Sequence, residues 1–108
     1  MTFARRVAVL LVPLVVLGAA GPVVQYRGTG VVLALLPPPS DLHMTRPVIV
    51  IEHDPIVGLM AERMAMPFLA ASTALLEGLH QGDRIVFGLQ DAPDALLVVT
   101  IERLPARR

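Results

Sequence analysis

Three methionines, Met60, Met64 and Met66, fall within seven residues just downstream of His53 in the stretch HDPIVGLMAERMAMPF. Methionine is flexible and unbranched, and it most often fills gaps in a core. Its thioether is also a soft donor that selects Cu(I), and imidazole suits copper as well. Thioether and imidazole cannot be lost to disulfides as thiolates can. Zn(II) prefers thiolate, several histidines or carboxylate, and this stretch does not offer that set. Two readings of the methionines therefore stand side by side, core filler and soft-metal site.

The elements around these residues decide whether they can meet. RPVIVIEH is rich in β-branched residues and predicts a strand from Val48 to His53, broken by Asp54-Pro55, with Gly58 in the loop that follows. MAMPFLA alternates loosely and predicts a short strand from Met64 to Leu69. With a period of two, Met64, Met66 and Phe68 share one face, so two sulfurs can converge on one ion. His53, at a strand end beside a loop, can complete a trigonal set. Against this, methionines two apart on a strand are more often core than ligands. A lone histidine after a strand is more often a surface or locally bonded residue.

The other segments follow the same logic. Val31, Val32, Leu33, Leu35 and Leu36 read as a buried strand entered through Gly28 and Gly30 and halted by Pro37, Pro38 and Pro39. ASTALLEGLHQGD predicts a short helix with Ser72 or Thr73 as N-cap, Leu75, Leu76 and Leu79 on its apolar face, and Gly82 beyond its end. DRIVFGLQ and ALLVVTIERL are two further strands joined by the turn Asp91-Ala92-Pro93-Asp94. Both sides of the last strand are mostly apolar, so periodicity does not orient it. Five short strands with one helix after the third match the all-β, OB-fold-like Greek-key barrel.

The N-terminus sets the compartment. Arg5 and Arg6 precede an apolar run from Val7 to about Ala20 that ends in small residues, the order of a secretory signal. The run is short against the roughly 20 apolar residues of a membrane span. Residues 1–20 are therefore expected as a cleaved signal and residues 21–108 as one barrel domain. Extension through Val23 and Val24 gives the alternative of an uncleaved membrane anchor. Loss of Arg5 and Arg6 leaves seven arginines against nine carboxylates, a net charge of −2, and there is no lysine. Such a domain has no electrostatic footprint for nucleic acid. Tyr26, Phe68 and Phe87 are too few for a stacking platform. Without cysteine, an exported domain of this size must hold together by burial alone, which suits a closed barrel.

HDPIVGLMAERMAMPF followed by ALLEGLHQGDRIVFGL resembles the CusF family of periplasmic copper- and silver-binding proteins. That family carries histidine, an acidic residue, proline and isoleucine at the end of its second strand, here His53-Asp54-Pro55-Ile56. About ten residues later comes a Met-x-Met-x-Phe strand, here Met64 to Phe68, and then a leucine-rich helix leading to a Gly-Asp turn, here Gly82-Asp83. The match runs from about residue 28 to 103. The resemblance implies a five-stranded OB barrel and makes His53, Met64 and Met66 the Cu(I) or Ag(I) ligands. It also implies a periplasmic metallochaperone that serves a copper and silver efflux system; the domain is expected as a monomer. Best-known members have a tryptophan before the methionine pair that caps the ion through a cation–π contact. Ala61 stands at that position here. Met60, one residue earlier, is a candidate third thioether by analogy with family variants that carry methionine in this loop; its other reading is loop packing. An adaptor barrel that no longer binds metal is the competing function.

The remaining candidates carry weaker signals. His43 and Met44 could form an accessory site but read better as exposed loop, His80 reads as turn surface, and Glu62 with Arg63 reads as a solvated loop pair. The sequence offers no Ser-His-Asp set, phosphate loop or paired carboxylates, so no enzyme activity is expected.

Overall fold

A computed structural model describes residues 21–105. The signal expected over residues 1–20 and the last three residues lie outside that range. Five strands form a closed barrel in the order β1-β2-β3-β5-β4: β1 Tyr26–Leu36, β2 Val48–His53, β3 Met64–Ala70, β4 Arg84–Ala92 and β5 Ala95–Arg103. The β2 bounds coincide with those expected, and β3 runs one residue further. The chain is the mixed five-stranded barrel that the strand count predicts.

Closure depends on β1. Its first half pairs with β4, from Tyr26 opposite Leu89 to Val31 opposite Arg84, and its second half pairs with β2 as far as Leu36 opposite Val48. The strand thus hands over from one neighbour to the other along its length. Gly30 and the bulge between Val32 and Ala34 lie where the pairing changes over. A β-carbon at Gly30 would lie 2.5 Å from the Glu52 carbonyl oxygen and 2.9 Å from the His53 α-carbon. Only glycine lets β1 approach β2 so closely here.

β2 and β3 pair antiparallel without a break from Val48–Leu69 to His53–Met64. The seam between β3 and β5 is parallel and short, limited to Leu69–Leu97 and Ala70–Val98. Inside, Val32, Ile49, Ile51, Phe68, Ile85, Phe87, Leu89 and Val98 form the buried cluster. Phe68 and Phe87 are tilted against each other with centroids 5.6 Å apart. The ambiguity of β5 has a physical source. Val98 stands opposite Leu89 and Ile101 opposite Phe87, with an irregularity in register between these pairs. That bulge switches the inward phase partway along the strand, so no single alternation describes it.

The helix expected after β3 is a single 3-10 turn, Thr73–Leu76. Ser72 occupies the N-cap position but makes no side-chain cap bond, and Glu77 is already extended. Gly78, with φ of +78°, ends the turn inside the leucine pattern. The stop therefore comes four residues before Gly82. Leu79 turns into the core and is buried.

Candidate metal site

Residues directly opposite in an antiparallel ladder project from the same face of the sheet. Across β2 and β3 the pairs are Ile49–Phe68, Ile51–Met66 and His53–Met64. Ile49, Ile51 and Phe68 are buried, so this face is the barrel interior. Burial fades along β3, from closed Phe68 through half-buried Met66 to Met64 at 49% exposure. The methionine face therefore runs from the core out to solvent, with the three side chains on one side as the period-two reading requires.

Of the two places expected for a lone histidine after a strand, surface or locally bonded, His53 takes the second, and it is fully buried. Its register partner on β1 is Gly30, and the Phe68 ring meets it edge-on at 5.8 Å. Nδ1 lies 2.9 Å from the Asp54 carbonyl oxygen. A carbonyl can only accept, so Nδ1 donates, and the tautomer with its hydrogen there has its lone pair at Nε2. Nε2 is buried and has no hydrogen-bond partner among the described residues. Leaving such an atom unsatisfied costs roughly 1–3 kcal/mol. Metal-ligating histidines commonly show this arrangement, in which one ring nitrogen donates to a carbonyl and fixes the other as donor to the ion.

Asp54 is held from three sides. Its amide donates to the Thr29 carbonyl at 2.9 Å, and the Thr29 hydroxyl donates to Oδ2 at 2.7 Å. Arg63 donates to Oδ1 at 2.9 Å. The Thr29 hydroxyl does most to hold the Asp54 carboxyl below its ordinary value of 3.8; partial burial opposes this and Arg63 reinforces it. Arg63 thus turns to Asp54, and more loosely to Glu52 at 4.0 Å, in place of its neighbour Glu62. The sequence carries no sign of this, because Thr29 comes from a strand 25 residues away.

Met60 sits at the end of a turn hung on buried Ile56. The two residues exchange backbone bonds of 2.8 and 2.9 Å, with Gly58 at φ +84° between them. Met60 is half-buried and packs against the core cluster, whereas Ala61 is exposed. Val57 and Leu59 are left exposed on the same turn.

The other histidines have local duties. His43 Nδ1 accepts from the amides of Thr45 and Arg46 at 3.2 and 2.9 Å, so this ring caps its own loop while Met44 lies exposed. The backbone amide of His80 donates to Asp83 at 2.7 Å, and its side chain is exposed. Among the described residues no three His, Asp or Glu side chains gather as a metal site. The soft donor types on the shared β2–β3 face are the imidazole of His53 and the thioethers of Met64 and Met66.

The fold is a small closed OB-type barrel, with the imidazole of His53 and the thioethers of Met64 and Met66 on one face of the β2–β3 ladder. The family described as "Copper binding periplasmic protein CusF" matches residues 25–103, and the chain belongs to that family. The chain is also similar to the solved structure of apo-CusF residues 6–88 from Escherichia coli. The two are 26% identical with a TM-score of 0.57, over 81% of this chain and 94% of that one. No curated protein matches the chain.

Proposed function

We propose that this protein captures Cu(I) or Ag(I) in the periplasm through His53, Met64 and Met66 and passes the ion to a membrane efflux system. The observation that carries the proposal is the buried, unpartnered Nε2 of His53, set on the same ladder rung as the thioether of Met64. An uncommitted lone pair facing the same interior side as two soft sulfurs suits a soft monovalent ion. Family membership supports copper as the cargo and the periplasm as the compartment. Residues 1–20 serve as the export signal in this reading, and residues 21–108 form the mature barrel.

Neutral donors, one of them reached by solvent, suit a carrier better than a closed thiolate cage does. Met64 is half exposed, so one ligand can be exchanged from solvent while His53 stays fixed. Met60 joins as a third thioether in the proposed site, in place of an aromatic cap at Ala61.

Anaerobic Cu(I) titration of the wild type and of the Met64→Leu/Met66→Leu double variant tests the assignment. The swap conserves volume and should cost under about 1.5 kcal/mol of stability per site, while abolishing binding. Unchanged affinity in the double variant would return the methionines to core filler. No binding by the wild type would favour the adaptor barrel. Mass spectrometry of periplasmic protein should find residues 1–20 absent; an intact N-terminus in the membrane fraction would replace the soluble carrier with a tethered one.

A further inference from the structure

The loop from Asp54 to Arg63 joins the two strands that carry the proposed ligands. Its first residue follows His53 and its last precedes Met64. These two end residues are tied to each other, Arg63 donating to Asp54 Oδ1 at 2.9 Å. Asp54 is in turn anchored to β1 by its two bonds with Thr29, and its carbonyl receives the His53 ring. Among the described residues, Arg63 supplies the side-chain link from the β3 side to this anchored carboxylate.

We infer that Arg63 is a positioning residue for the metal site, acting through Asp54 to hold His53 and Met64 opposite one another before the ion arrives. The inference rests on the ligand reading proposed above. The pair is solvent-accessible, with side-chain exposures of 59% for Arg63 and 29% for Asp54. Its effect on global stability is therefore small. Its place between the two ligand strands directs that effect to binding instead. With the clamp intact the loop ends are fixed and the ion meets a preformed pair. When it opens, ion binding must also close the loop, and that ordering is subtracted from affinity.

Simple electrostatics predicts the opposite sign. A guanidinium repels a cation, and its removal would leave Asp54 and Glu52 unneutralised near the proposed site. On charge alone, Arg63→Gln should tighten binding. The positioning role makes the same substitution weaken it, so the direction of the change separates the two.

The test is a double-variant cycle in Ag(I) affinity, using protein recovered after export of the full chain. Sodium nitrate sets the ionic strength, because chloride precipitates silver. Arg63→Gln should weaken binding roughly two- to fivefold, the range of an exposed ion pair. The melting temperature should stay within a degree or two, and amide exchange should quicken across residues 54–63. Arg63→Lys should recover most of the affinity. In an Asp54→Asn background, Arg63→Gln should have no further effect, because the partner is gone. Raising ionic strength should weaken binding in the wild type but not in Arg63→Gln. Equal or tighter binding by Arg63→Gln, or an undiminished effect in the Asp54→Asn background, would overturn the inference. If the Met64→Leu/Met66→Leu variant binds as wild type, the ligand assignment itself fails. If that variant loses binding and Arg63→Gln does not, only the clamp fails.

Discussion

His53 and Met64 share one rung of the β2–β3 ladder, yet His53 is sealed from solvent and Met64 is half exposed. The rung thus pairs a donor fixed by its surroundings with a donor free to change rotamer. The proposed carrier needs both, one to define where the ion rests and one to let it leave.

His53→Leu should abolish Cu(I) binding with little loss of stability. The substitution removes the buried unpartnered Nε2 as well as the bond to the Asp54 carbonyl, and the two effects oppose each other. A net change within about 1 kcal/mol is expected in urea unfolding. A loss several times larger would mark His53 as a structural core residue.

Alanine at the two methionines should separate stability from binding. Met66 packs against the core, so Met66→Ala should cost roughly 1–2 kcal/mol, below the range of a fully buried site. Met64→Ala should cost under about 0.5 kcal/mol, as befits an exposed position. Competition titration should show both losing most of their Cu(I) affinity. Unequal stability losses with similar binding losses are the signature of ligands set at different depths.

X-ray absorption of the Cu(I) form should count three sulfurs, with Met60 as the third. Met60→Leu should then weaken Ag(I) binding, and Ala61→Trp should restore it in that variant by about 2 kcal/mol through a cation–π contact. Two sulfurs with unchanged affinity in Met60→Leu would leave Met60 as packing for the Ile56 turn.

The acid limb of stability should carry the mark of Asp54. Its carboxyl is depressed in the folded protein, chiefly by Thr29. The stabilisation from this group is therefore complete above the unfolded value near 3.8 and is lost as pH falls through the lower folded value. Thr29→Val should raise the Asp54 pKa toward its ordinary value, and NMR titration of the metal-free protein reads this directly. An unmoved pKa would assign the depression to Arg63.

Much of this was legible in the chain. β-Branched residues marked β2, and alternation put Met64, Met66 and Phe68 on one face. The burial of His53 was not legible, because a single histidine at a strand end carries no inward signal. It follows from closure of the barrel around it, with Gly30 as its partner on β1. The Thr29–Asp54–Arg63 set escaped for a similar reason, since adjacency in sequence paired Arg63 with Glu62. The leucines after β3 suggested a helix, but Gly78 interrupts them and Leu79 is drawn into the core.

The short seam between β3 and β5 leaves the stretch of β3 that carries the proposed ligands, Met64 to Phe68, without a strand on its outer side among the described residues. The amide of Ala70 points to β2, where it bonds the Pro47 carbonyl. Alternation along the strand then turns the nitrogen of residue 67 outward, away from β2. That residue is proline, which has no hydrogen to offer. An incoming strand would find a gap in the row of donors midway along this border. The proposed site thus lies beside an edge that is blunted against pairing with the strand of another barrel.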